Sequence, residues 1–174
     1  MTDWLLATLE EFRRARRLAD SAMTQVDDAG FFGAPDPATN SIAIIVKHMG
    51  GNLRSRWTDF LTTDGEKPDR DRDSEFELTS ADTRADLLAR WDRGWQLVLD
   101  AISALTEDDL RRTVTVRGES LTVPHAIQRQ LAHASYHTGQ IALLARHYAG
   151  ADWTSLTIPK GGSAAYNAQA AAVR

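Results

Sequence analysis

Two histidines, His133 and His137, stand four residues apart in the segment RQLAHASYHTGQIALLAR, residues 129–146. In a helix, residues at this spacing lie one turn apart on the same face, so both imidazoles can reach one cation. A third imidazole, His48, occurs in IAIIVKHMGGNLRSRWTDF, another segment with helical periodicity. Three histidines with an open fourth position form a known type of catalytic zinc site. Spacing alone leaves a second interpretation open, since histidines at a helix edge are commonly surface or hydrogen-bonded residues.

Other metal chemistries are excluded or disfavoured by the same sequence. The chain has no cysteine, so histidine and carboxylate are its only strong ligand types. Ala134, not glutamate, follows His133, so the general base of an H-E-x-x-H protease is missing. The acidic run DRDRDSEFELTS resembles a calcium loop, but its sixth and twelfth residues are Ser74 and Ser80 where that loop needs glycine and glutamate. The two remaining histidines, His125 and His147, fall outside the cluster on the helical projection.

Polar and charged neighbours of the histidines are candidates for supporting roles. Asn52 lies one turn after His48 and is positioned to orient an imidazole by a hydrogen bond. Arg56 and Arg129 approach the same helix edges and could attract an anionic substrate, although solvated helix-face charges are the commoner fate. The sequence by itself assigns no catalytic residue.

Length and charge restrict the classes of protein to which the chain can belong. Its 174 residues, 43% of them hydrophobic, fit one domain with one substantial core. A net charge of -4 argues against nucleic acid as a partner. No run reaches the 18 apolar residues of a membrane span, and the N-terminus lacks a basic leader before an apolar stretch. We expect a soluble, cytoplasmic protein without a membrane partner.

Four long amphipathic segments and one short β-branched segment must position these residues. Apolar spacing predicts a first helix capped by Thr2 and a third capped by Thr79 or Ser80. The β-branched piece TVTVRGESLTV predicts a hairpin, and Pro124 fits the first turn of the last helix. The predicted helices span about 2–26, 41–61, 79–105 and 124–148. The fold class is therefore all-α, a four-helix bundle in a single domain 1–174, with the hairpin between helices three and four. We expect the tail 149–174, which has little helical signal, to pack near the site.

Three stretches of the chain resemble a family of uncharacterised bacterial proteins within the DinB superfamily. They are NSIAIIVKHMGGNLRSRWTDFLTTDGEKPDRDRDSEF, the RGE turn followed by TVPHAIQRQLAHASYHTGQIALLAR, and IPKG, in the expected order between about 40 and 160. The resemblance implies a DinB-like four-helix bundle that is usually a homodimer. It also implies a divalent metal ion held by His48, His133 and His137. Zinc or nickel is the expected metal, with iron and manganese as alternatives.

The resemblance implies several functions. Better-characterised DinB proteins include transferases and isomerases that use bacillithiol, mycothiol or glutathione, and other members are described as metal-dependent hydrolases. Neutral histidine ligands leave a cation strongly Lewis acidic, which suits activation of a thiol or of water. We expect a metal-dependent transferase that uses a low-molecular-weight thiol. The alternatives are a metal-dependent hydrolase and a noncatalytic, metal-stabilised, stress-associated binding protein.

Overall fold

The computed structural model of the chain describes residues 2–172 and places 65% of the protein in helices. The all-α prediction is confirmed. The elements, in chain order, are α1 Asp3–Met23, α2 Asp28–Phe32, α3 Ile42–Trp57, α4 Arg84–Ala104, β1 Thr113–Val116, β2 Glu119–Thr122, α5 Val123–Ala149 and α6 Ser163–Ala172. None of the helices in the described part of the chain has the length and apolarity to cross a membrane.

The four long helices pack as a closed bundle around one core. α3 packs mainly on α4 and α1 mainly on α5, while α1–α4 and α3–α5 contacts complete the ring. Each helix buries its apolar stripe in this centre, as the periodicity predicts. Trp57, Trp91 and Trp95 are almost fully buried, so all three are core residues. The indole Nε1 of Trp91 donates to Asp20 of α1 at 2.8 Å, which ties α4 to α1.

Side-chain caps begin the helices, and one predicted cap is wrong. The hydroxyls of Thr2, Ser41 and Thr122 accept backbone N–H groups of the first turns of α1, α3 and α5. α4 begins at Arg84 and is capped by Thr83, not by Thr79 or Ser80. Thr79 instead donates its hydroxyl to Asp82 at 3.1 Å and forms a turn before the helix.

The predicted second helix ends earlier than its apolar pattern indicates. α3 stops at Trp57 because Thr58 is extended and Asp59 adopts a positive φ of 49°. The chain then enters a long segment, residues 58–83, that crosses the face of α3. This segment brings its side chains to the edge of α3 that carries His48.

The hairpin is a two-stranded antiparallel ribbon in which Val114 pairs with Leu121. Its turn residues Arg117 and Gly118 have φ values of 55° and 76°, as a two-residue turn with the hairpin twist requires. Their backbone N–H groups donate to the two carboxylate oxygens of Asp64 at 2.8 and 2.9 Å. The turn is therefore held against the 58–83 segment, on the side of the bundle where Arg56 lies.

The tail contains a helix that the sequence pattern does not predict. α6 has no buried residue, so its formation depends on its alanine-rich composition and not on packing. Earlier in the tail, Thr154 exchanges two hydrogen bonds of 2.7 and 3.1 Å with Gln25, which lies two residues after the end of α1. Residues 173 and 174 of the expected tail 149–174 lie outside the described residues. Its packing near the histidines stays a prediction.

Candidate metal centre

His48, His133 and His137 come together between α3 and α5, with one ring nitrogen of each facing the other two. The Nε2 atoms of His48 and His133 are 3.3 Å apart, and those of His137 and His133 are 3.1 Å apart. Their ligand atoms all lie within 4.8 Å of one another, close enough to share one metal ion. We call these residues the three-histidine cluster. The structure therefore brings together the three ligands expected from the sequence.

The ring of His48 is held by a buried carboxylate from the 58–83 segment. Glu75 Oε2 accepts a hydrogen bond from Nδ1 of His48 at 2.9 Å. Arg70 donates to both oxygens of the same carboxylate, at 2.8 and 2.9 Å. The side chains of all three residues are at most 8% exposed. Because Nδ1 carries the donated proton, Nε2 of His48 presents its lone pair to the cluster.

Each of the two histidines of α5 has a glutamine one helical turn away that lies beside its Nδ1 atom. Nδ1 of His137 donates to Oε1 of Gln140 at 2.7 Å, which again leaves Nε2 as the free lone pair. The side-chain nitrogen Nε2 of Gln130 lies 3.5 Å from Nδ1 of His133. Rotation of this amide by half a turn would bring its oxygen to that ring. His133 could then donate from Nδ1 and present Nε2 as a ligand, as the other two rings do.

The electrostatics keep the α5 histidines neutral. Burial lowers the pKa of His133 to about 3, and the neighbouring His137 and His48 add to this effect. Burial also lowers the pKa of His137 to about 4, although its bond to Gln140 opposes the change. Burial would raise the pKa of Glu75, but hydrogen bonds from His48 and Arg70 outweigh it and hold that pKa below its ordinary value. Glu75 is therefore ionised, and His133 and His137 are neutral, which is the state in which imidazole binds a metal ion.

A cavity of about 300 Å³ opens beside the cluster and reaches His48 and His133. Asn52, Arg56 and Arg129 also line it, so all three supporting residues expected from the sequence lie at this opening. Arg56 donates to Glu66 at 2.9 Å and to the carbonyl of Gly65 at 2.7 Å. Arg129 is exposed and pairs with Glu119 at 3.3 Å. The cavity provides space for a further ligand or a substrate next to two of the three rings.

Sequence comparison assigns the chain to a family. A family model described as "Protein of unknown function (DUF1572)" matches residues 1–162. The chain belongs to DUF1572. No curated protein matches the chain. The DUF1572 match covers the four long helices, the hairpin and the 58–83 segment, and it therefore includes the whole three-histidine cluster with Glu75 and Arg70.

The sequence patterns did not predict the residues that orient the histidines in this DUF1572 protein. Glu75 makes the hydrogen bond to the ring of His48, whereas Oδ1 of Asn52 is buried without a hydrogen-bond partner among the described residues. Glu75 stands in the acidic run considered above as a calcium loop, 27 residues from His48, so no local spacing connects the two. Gln130 and Gln140 each lie three residues from a ligand, and helical spacing could have found them.

Replacing Glu75 with Gln should weaken metal binding by the three-histidine cluster about 10- to 100-fold, the usual cost of losing a residue that orients a metal ligand. The neutral amide no longer stabilises a proton on Nδ1 of His48 as a carboxylate does, and it leaves Arg70 partly unpaired. Competition with a chromophoric chelator measures the affinity. Glu77→Gln is the matched control, because this neighbouring glutamate is exposed; an equal loss in both variants would contradict the role of Glu75.

The metal-free protein should lose stability on acidification through its α5 histidines. Their folded-state pKa values of about 3 and about 4 lie below the ordinary value of 6.5. At pH values between the folded-state and ordinary pKa values, the unfolded chain binds more protons than the folded protein. The free energy of unfolding therefore falls as the pH drops from about 6.5 towards 4. Urea unfolding at several pH values in the presence of a chelator measures this slope. His133→Asn should flatten it; an unchanged slope would show that other groups cause the acid sensitivity.

Proposed function

We propose that the chain is a DinB-like protein that binds a divalent metal ion at His48, His133 and His137. We further propose that it transfers a low-molecular-weight thiol to an electrophilic substrate. The observation that carries the proposal is the convergence of three Nε2 atoms beside a cavity, with two of the rings anchored through Nδ1. Zinc or nickel bound there would supply Lewis acidity that lowers the pKa of an incoming thiol or water.

The cavity lining favours a thiol over water as the nucleophile. No aspartate or glutamate is among the described residues that line the cavity. Glu66 and Glu75, which accept from arginines of the lining, are occupied by those side chains. Among the described residues, the lining itself therefore offers no carboxylate to take a proton from water. A thiol needs less help, because its pKa lies far below that of water.

The chain's own residues would orient the reactants. Glu75 and Gln140 hold the rings of His48 and His137, and the cavity gives a reactant access to His48 and His133. In the transfer itself the thiol would lose its proton to solvent. Its sulfur would then form a bond to the electrophilic carbon, and the leaving group would depart with the bonding electrons.

The test uses cobalt-substituted protein and glutathione, mycothiol or bacillithiol in turn. With the correct thiol we expect a sulfur-to-metal charge-transfer band and chloride release from 1-chloro-2,4-dinitrobenzene. Both signals should disappear in His133→Ala and persist in His125→Ala, which changes an exposed histidine on the same helix. Ester hydrolysis that depends on His133, without any thiol response, would instead indicate the hydrolase. Absence of both activities despite metal binding would leave the ion as a structural element of a binding protein.

We also propose that the protein is a cytoplasmic homodimer, as the DinB resemblance implies. Two large apolar side chains of α5, Tyr136 and Leu143, are 64% and 71% exposed and lie seven residues apart on one helix face. Exposed apolar groups at this spacing are typical of a helix that packs against a partner. Sedimentation equilibrium measures the mass; a single species of 19.2 kDa across the concentration range would contradict the dimer.

A further inference from the structure

Five arginine side chains line the cavity beside the three-histidine cluster. They come from α3, the 58–83 segment, the hairpin turn and α5, and are Arg56, Arg70, Arg72, Arg117 and Arg129. The sequence separates these residues widely, and only the fold assembles them. Guanidinium groups bind carboxylate and phosphate through paired hydrogen bonds. Whether these arginines can bind an anion therefore depends on how many of them are already paired with carboxylates of the protein.

Three of the five arginines, Arg56, Arg70 and Arg117, share two carboxylates. One oxygen of Glu66 accepts from Arg56 at 2.9 Å and from Arg70 and Arg117 at 3.2 Å each. Arg70 has a second partner in Glu75. Three guanidinium groups therefore depend on two carboxylates, one of which is also bonded to His48. Bringing an anion to this group would reduce the repulsion among its positive charges.

Two of the five arginines, Arg117 and Arg129, are about half exposed and can reach a ligand. The side chains of Arg117 and Arg129 are 52% and 53% exposed. The ion pair of Arg129 with Glu119 joins two exposed side chains, and such pairs contribute little, so a ligand can replace it. Arg117 is presented by a turn whose backbone is bonded to Asp64, which fixes the base of its side chain at the opening.

Apolar side chains also line the cavity, and two of the lining residues carry a buried polar atom without a partner among the described residues. Trp57 and Phe60 stack with ring centroids 4.5 Å apart, and Val116 and Leu121 extend the surface. Trp57 and Asn52 are more than nine-tenths buried, yet the indole Nε1 and the amide Oδ1 have no hydrogen-bond partner among the described residues. Buried polar atoms are rarely left without a partner.

We propose that this cavity binds an organic anion, an apolar body that carries a carboxylate or phosphate group. The anionic group lies between Arg117 and Arg129, and the apolar body lies on Trp57, Phe60 and Leu121. This places the inner end of the molecule at His48 and His133. The assignment of that end as the reacting end rests on the proposed function, whereas anion binding does not.

The test measures binding of three probes of one shape to the full chain in the presence of a chelator. The probes are 1-naphthoate, 1-naphthyl phosphate and the neutral 1-naphthamide. Calorimetry and tryptophan fluorescence measure the binding of each probe. At least one anion should bind about tenfold or more tightly than the amide, since a charged hydrogen bond contributes more than a neutral one. The tighter anion identifies the preferred acidic group.

The decisive variant is Arg117→Gln/Arg129→Gln, which changes two exposed side chains and leaves the core intact. It should weaken anion binding about tenfold and leave amide binding unchanged. Arg13→Gln, an exposed arginine of α1 outside the cavity, should change neither. Equal affinity for all probes, or anion binding that resists the double substitution, would overturn the proposal. Because no metal is present in this experiment, anion binding can be confirmed even if the thiol reaction fails. Likewise, a failure of anion binding would not contradict the thiol reaction.

Discussion

Zinc or nickel should raise the melting temperature of the wild-type protein and leave those of His133→Ala and His137→Ala almost unchanged. The three Nε2 atoms converge only in the folded state, so the metal binds that state and stabilises it by mass action. At a free metal concentration about 1,000 times the Kd, stabilisation is about 4 kcal/mol. For a chain of this length that shifts the melting temperature by on the order of 10 °C. Differential scanning calorimetry with and without metal measures the increment.

Comparing each variant with and without metal removes the effect of the substitution on the metal-free fold. His147→Ala is the matched control, because this histidine is exposed in the last turn of the same helix. Its metal increment should equal that of the wild type. Retention of the full increment in either cluster variant, together with unchanged metal content by elemental analysis, would refute the three-histidine site.

Gly51→Ala should disrupt the same site without changing any residue that contacts the metal. A Cβ at position 51 would lie 2.7 Å from the carboxyl carbon of Glu75 and nearer still to its Oε1. Glu75 cannot move aside easily, because Arg70 and His48 both hold its oxygens and all three are buried. Overpacking of this kind costs about 1–3 kcal/mol. Displacing the carboxylate would also release the ring of His48, so metal affinity should fall at least as far as in Glu75→Gln.

The control for this substitution is Gly139→Ala. Gly139 lies on α5 two residues after His137, and a Cβ there would meet nothing within 4 Å. Alanine favours a helix over glycine by about 1 kcal/mol, so stability should be unchanged or slightly higher. Chemical denaturation and metal titration of both variants measure the two effects. Wild-type metal affinity in Gly51→Ala would show that Glu75 does not position His48.

The sequence determined the features that depend on residues close together in the chain. The apolar stripes predicted the long helices, and Thr2 caps α1 as predicted because a cap bonds to an N–H only three residues away. His133 and His137 share a face for the same reason. Where several nearby residues could cap a helix, the prediction was wrong: Thr83 caps α4, whereas Thr79 or Ser80 was predicted.

Only the tertiary structure decided what surrounds the cluster. Glu75 reaches His48 because the 58–83 segment folds across α3 and because Gly51 leaves room for its carboxylate. Arg117 reaches Glu66 because Asp64 holds the hairpin turn against that segment. These contacts join residues 27 to 53 positions apart. Periodicity and capping carry no information at that range, since such contacts depend on how whole elements pack.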